Sequence, residues 1–176
     1  MIINTEYTKV ERKIMNYFFN YPNDVINTRE LANKIGFSHT AIAKTLDKLS
    51  NMKLVLINKT KLQTEISLNQ NNKIVFIEKR LYNIKSIYYS GIVDYLEDIY
   101  EIPKSIVLFG SYALGEDNEN SDIDIAVETS MKNKKTNFKE YEKKLNRKIE
   151  LFFIDQNTPN ELLKSIYNGI VLRGSL

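Results

Sequence analysis

The stretch Ser121-Asp122-Ile123-Asp124-Ile125-Ala126-Val127 constrains this chain more than any other. Its side chains alternate with period two, so it reads as a strand whose Ile123, Ile125 and Val127 share one face while Asp122 and Asp124 share the other. Upstream, Ile106-Val107-Leu108-Phe109 reads as a buried strand that runs straight into Gly110-Ser111. Downstream, Ile149-Glu150-Leu151-Phe152-Phe153-Ile154 is apolar everywhere except at Glu150. The expected elements of residues 103–176 are strand 105–109, a Gly/Ser turn with a short helix, strand 122–128, a lysine-rich loop, helix 137–146, strand 148–154 and a last helix from about Pro159. Such an order predicts a mixed β-sheet with helices.

These residues carry a specific chemistry. Two carboxylates roughly 7 Å apart along one strand face repel each other unless a cation sits between them. Hard oxygen ligands of this kind suit Mg²⁺, which also takes oxygens from substrate phosphates. An ionised residue in a buried strand is costly unless paired or metal-bound, which singles out Glu150. If its strand lies beside that of Asp124, the three carboxylates can hold two metal ions for phosphoryl chemistry. Asp155, at the strand end, competes for the third place. Gly110 allows backbone to approach a ligand, and the helix start after it, with the Ser111 hydroxyl, suits phosphate.

Gly110-Ser111-Tyr112-Ala113-Leu114-Gly115 through Ser121-Asp122-Ile123-Asp124-Ile125 resembles the signature of the DNA polymerase β-like nucleotidyltransferase superfamily, and within it the minimal nucleotidyltransferase branch. The resemblance extends over about residues 103–174, including the closing Asn168-Gly169-Ile170-Val171-Leu172-Arg173-Gly174. It implies a nucleotidyltransferase in which Gly110 and Ser111 hold the nucleoside triphosphate, with ATP expected. Asp122 and Asp124 would bind two Mg²⁺ ions. Glu150 would bind the catalytic one and help to deprotonate the acceptor hydroxyl, whose attack on the α-phosphate releases pyrophosphate. The branch often carries Asp at the third position, where this chain has the longer Glu150. The resemblance also raises a protein acceptor, as in toxin–antitoxin pairs.

The first 69 residues read differently. Val10, Ile14, Tyr17 and Phe18 recur at helical spacing, and that helix ends before Tyr21-Pro22. Thr28 is the expected N-cap of a second helix with Leu31, Ala32 and Ile35 inward, stopped at Gly36. Ser38 caps a third, with Ile42, Leu46 and Leu49 inward. Strands 54–58 and 63–68 follow, joined at Lys59-Thr60-Lys61. The order resembles a winged helix-turn-helix domain. By that resemblance Ser38, His39, Thr40, Lys44 and Lys48 would face a DNA major groove, and Lys59 and Lys61 would touch phosphate. This third of the chain carries ten Lys/Arg against six Asp/Glu, a balance permissive for nucleic acid.

Residues 70–102 read as a helical connector, broken near Ser90-Gly91. Its stripe Ile74, Ile77, Leu81, Ile84, Tyr88 is near-heptad, and would pack on the adjoining domain or form the seam of a homodimer. The lysines between 132 and 144 read as a solvated face or a landing surface for an anionic acceptor. The expected fold is thus α+β: winged helix-turn-helix 1–69, connector 70–102 and nucleotidyltransferase domain 103–176. No apolar run reaches membrane-helix length, residues 1–10 lack a signal-peptide core, and cysteine is absent, so a cytoplasmic protein is expected. The competing expectation is a non-catalytic DNA-binding regulator, or an antitoxin-like protein, whose nucleotidyltransferase fold senses nucleotide or docks a partner.

Overall fold

In the computed structural model, which describes residues 7–59 and 64–176, the N-terminal unit Met1–Val75 is organised by capped helices. Helix α1 (Lys9–Asn20) starts at a capping box: the Glu11 amide donates to Thr8 Oγ1 at 3.3 Å, and the Thr8 amide donates to the Glu11 carboxylate at 2.8 Å. A short strand, β1 (Ile26–Asn27), leads into α2 (Thr28–Ile35). The cap of α2 is Asn27 rather than the expected Thr28, because Asn27 Oδ1 accepts from the Glu30 amide. Gly36 ends α2 in the left-handed conformation, as its position predicts. Ser38 caps α3 (His39–Asn51), whose Ile42, Leu46 and Leu49 are buried.

Strands β2 (Val55–Lys59) and β3 (Thr64–Leu68) pair antiparallel, and β1 adds to the other side of β3, giving the order β1-β3-β2. The expected strand-joining turn falls, beyond Lys59, outside the described residues, and Lys61 with it.

The C-terminal unit, Phe76–Leu176, takes in most of what the sequence presents as a connector. Helices α4 (Lys73–Ser90) and α5 (Ile92–Ile99) are separated at Gly91, whose φ of +83° a residue with a side chain rarely adopts. Ile87, Ile92, Val93, Leu96 and Tyr100 belong to this unit's main core. The apolar residues after the break therefore belong to the sheet domain itself.

There follow β4 (Ser105–Phe109), α6 (Gly110–Leu114), β5 (Ile123–Glu128), α7 (Lys139–Leu145), β6 (Ile149–Phe153), α8 (Asn160–Tyr167) and β7 (Ile170–Gly174). The sheet order is β6-β5-β4-β7, with β5 and β6 parallel and the other pairs antiparallel. The crossover between the parallel pair contains α7, as parallel pairing requires. Strand β7 has no counterpart among the expected elements; it is reached through Gly169, where a Cβ would lie 2.5 Å from the Leu108 carbonyl oxygen.

The two faces of this sheet are unequal. Ile106, Leu108, Ile123, Ile125 and Val127 face the main core with α4 and α5 residues. Val107, Phe109 and Ala126 form a small second core with Ile166 of α8, flanked by Phe152 and Leu162. No helix among the described residues is long and apolar enough to cross a membrane.

Candidate functional site

The strand registers place the carboxylates. In the antiparallel β4–β5 pair Phe109 lies opposite Asp124, and in the parallel β5–β6 pair Asp124 lies opposite Glu150. Residues in register on neighbouring strands share a face, so Asp124 and Glu150 project together on the α8 side. They lie one step beyond the Val107–Ala126–Phe152 row of the smaller core. Asp122 immediately precedes β5 and, two residues from Asp124, belongs to the same side. The Ser121-Asp122 approach is held by a tight turn: the Asn118 amide donates to Ser121 Oγ at 2.9 Å, and the Ser121 amide to the Asn118 carbonyl at 3.1 Å. Pairing of the parallel strands begins where the Ile123 amide donates to the Lys148 carbonyl at 2.8 Å.

The electrostatics agree with this proximity. The Asp124 carboxyl is pushed up from 3.8 to about 6, first by burial, then by the charges of Glu150 and Asp122. The reading of Glu150 as a buried charge needs correction. Strand β6 is an edge strand and Glu150 is exposed, because apolar neighbours in sequence do not signal burial at a sheet edge. Asp155 is set aside by geometry. It lies in the turn two residues past the end of β6, and its carboxylate pairs with Lys132.

Gly110 stands directly against this group. Its φ is +71°, and a Cβ built on it would overlap the Asp124 carboxylate oxygen. Backbone free of a side chain is thus required twice, by conformation and by space. Ser111, half-buried, is the second residue of α6. That helix is a five-residue turn, so it offers outward amides more than the dipole of a full helix. Among the described residues no three His, Asp or Glu side chains converge on a point that could hold a metal ion. By chemistry the set suits a hard divalent cation, since Asp122, Asp124 and Glu150 are all oxygen donors.

Beside Asp122 lies a polar crevice of about 500 Å³, lined among others by Glu119, Asn120, Glu142, Asn146 and Lys148. Beneath it runs a buried network that no sequence feature announces. Lys79 and Asn83 of α4 donate to Asp117 Oδ1 at 2.5 and 2.7 Å, Asn83 also donates to the Tyr112 carbonyl at 2.9 Å, and Arg147 pairs with Asp117 Oδ2 at 3.6 Å. All four side chains are buried. Burial pulls the Lys79 ammonium below its ordinary range, against the opposing pull of Asp117. The network ties α4 to the segment leading into Asp122. Lys79 and Asn83 are visible in sequence only as polar residues four apart on a helix; their partner is more than thirty residues away.

The N-terminal candidates divide. His39, Thr40 and Lys44 are exposed on α3. Ser38 is exposed but engaged as the cap, accepting from the Ala41 amide at 3.3 Å. Lys48 is committed within the unit, pairing at 2.6 Å with Glu11. Glu11 is buried, which raises its carboxyl, but Lys48 and the Thr8 amide hold it below its ordinary value. Lys59 lines a surface crevice of about 520 Å³ with Asp47, Ser50, Asn51 and Ile57. In the C-terminal unit Lys132, Lys134 and Lys144 pair with Asp155, Glu101 and Glu140, which diminishes the lysine-rich stretch as a landing surface.

Residues 89–171, within the C-terminal unit, match the family model of the nucleotidyltransferase domain. The chain is also 49% identical over 63 residues to a Methanocaldococcus jannaschii protein named "Putative protein adenylyltransferase". That similarity covers 32% of this chain and 61% of the relative, so the chain spans less than two thirds of the relative it matches.

Proposed function

We propose that the C-terminal unit moves a nucleoside monophosphate from a nucleoside triphosphate to an acceptor hydroxyl, with Asp122, Asp124 and Glu150 as its acidic residues and Gly110 and Ser111 as its phosphate seat. The observation that carries the reading is the position of Asp124, between the bare Cα of Gly110 and the in-register Glu150. The name of the archaeal relative favours ATP as the donor and a protein hydroxyl as the acceptor. Divalent cations, two Mg²⁺ in this reading, would be held by the three carboxylates and supply charge neutralisation on the triphosphate.

The chain's own residues then have distinct tasks. Gly110 leaves room for the Asp124 carboxylate against the backbone, and the Ser111 hydroxyl and the first amides of α6 orient the triphosphate. The acceptor oxygen forms a bond to the α-phosphorus while the bond to the β-phosphate oxygen breaks and pyrophosphate departs. The hydroxyl proton passes to Glu150, whose exposed edge position lets it hand the proton on to water.

The N-terminal unit supports a second component of the reading: a winged helix-turn-helix that brings the enzyme to DNA. What favours it is α3, which buries Ile42, Leu46 and Leu49 and leaves Thr40 and Lys44 outside. If this unit carried the whole function, the protein would be a regulator without turnover.

One experiment separates the two. Wild type and Asp122→Ala/Asp124→Ala are incubated with Mg²⁺ and each triphosphate labelled at the α-phosphate, with the protein itself, a protein extract and duplex DNA as acceptors. Label transfer or pyrophosphate release that the double variant loses supports the enzyme. Duplex binding without turnover on any acceptor supports the regulator and refutes catalysis.

A further inference from the structure

Helix α4 is rotated against the expectation for a helix on the outside of a domain. Its inward face buries a lysine and an asparagine, Lys79 and Asn83, beside Ile87 and Ser90. Its outward face leaves Ile77 and Leu81 more than half exposed and Tyr88 46% exposed, with Ile84 half-buried between them. Turning the helix to bury that stripe would break the network, since Lys79 and Asn83 bond Asp117. Gly115 blocks the turn as well: the positions where its Cβ would stand are 2.8 Å from the Phe76 oxygen and 2.9 Å from the Arg80 nitrogen, so this loop is seated on the helix backbone. The rotation is therefore fixed, and apolar surface is held outward by buried polar contacts.

The spacing of the outward residues is informative in its own right. Ile74, Ile77, Leu81, Ile84 and Tyr88 step alternately by three and four, the a and d positions of a heptad seam. With those positions assigned, Glu78 and Lys85 fall at the two flanking e positions. In an antiparallel pair that stacks Leu81 on the second copy's Ile84, and Ile77 on its Tyr88, Glu78 meets Lys85 of the other copy on both sides of the two-fold axis. A parallel pair would instead set Arg80 against Lys85, cancelling the attraction between Lys73 and Glu78. The charges thus complement a second copy of the same helix in one direction.

We propose that this face is the interface of a homodimer in which α4 packs antiparallel on α4 of a second copy. The proposal does not depend on the catalytic reading. Standard interfaces bury roughly 800 Å² per partner, and Glu78 and Lys85 flank the stripe along one side. Tyr89 is 82% exposed, with Lys85 Nζ 5.3 Å from its ring centre.

The test is sedimentation equilibrium of the full chain over a concentration series. Wild type should pass from monomer to dimer, and Leu81→Glu should stay monomeric and melt where dilute, monomeric wild type does. Glu78→Lys should weaken association about tenfold, and Glu78→Lys/Lys85→Glu should restore it. A wild type monomeric throughout the series overturns the proposal, as does a dimer indifferent to Leu81→Glu. A fall in melting temperature of the monomer on Leu81→Glu would mean that the stripe is covered within one chain and also overturns it. Failure of the double charge reversal to restore association overturns the antiparallel register.

Discussion

Replacing Asp124 by asparagine should make the metal-free protein more stable. The Asp124 carboxyl is raised from 3.8 to about 6 by burial and by Glu150 and Asp122. The folded state therefore prefers the neutral acid. The stability linked to that preference is complete below the unfolded value near 3.8 and is lost as pH climbs through about 6. A gap of about two units corresponds to about 3 kcal/mol if fully felt. Asp124 is only half-buried, so solvent screening leaves about 1–2 kcal/mol. Asparagine keeps the shape without the charge, and the C-terminal unit should melt roughly 4–16 °C higher at neutral pH. Scanning calorimetry in a chelating buffer resolves it, with amide exchange in β4 and β5 assigning the transition to this unit. The advantage should shrink toward pH 4. Adding Mg²⁺ should raise the melting temperature of wild type and leave the variant nearly unmoved. A variant that melts at or below wild type in chelator at neutral pH, or an advantage that ignores pH, refutes the reasoning.

Three further outcomes follow from the packing. Gly110→Ala puts a methyl group into the Asp124 carboxylate at a positive φ, and should cost about 1–3 kcal/mol and abolish label transfer, read by melting and by the transfer assay. Asp117→Ala strands Lys79 and Arg147 in the interior and should cost about 3–5 kcal/mol in urea denaturation, more than any substitution at exposed Glu150. Lys48→Ala should destabilise the N-terminal unit by leaving Glu11 buried without its partner, whereas Lys44→Ala should leave stability alone and reduce the salt slope of duplex binding by about one, measured by anisotropy titration.

What could be read in advance was whatever a short window contains. The alternation around Asp122 and Asp124 gives their common face, the apolar run to Phe109 gives β4, and Ser38 and Gly36 mark helix ends. Burial of Glu150 was misread because a run of apolar residues looks the same in a central strand and an edge strand; only the order β6-β5-β4-β7 tells them apart. Strands β1 and β7 escaped notice because two and five residues carry little periodicity, and their pairing partners are distant. The Lys79–Asp117–Arg147 network escaped for the same reason. Its members span nearly seventy residues and nothing in the spacing relates them.

The register between β5 and β6 has a consequence for how this chain can change length. Asp124 and Glu150 meet only because Ile123 aligns with Ile149 and each following residue keeps step. Losing one residue inside Ile149–Phe153 would exchange the two faces of β6, sending Glu150 into the main core and Ile149 out beside Asp124. The segment between Glu128 and Lys139 has no such bookkeeping to respect. Doubling a loop of that kind costs only about 0.6 kcal/mol, so insertions there leave the carboxylates in place. Length is thus free to drift in the lysine-rich loop and locked in the strand twenty residues later.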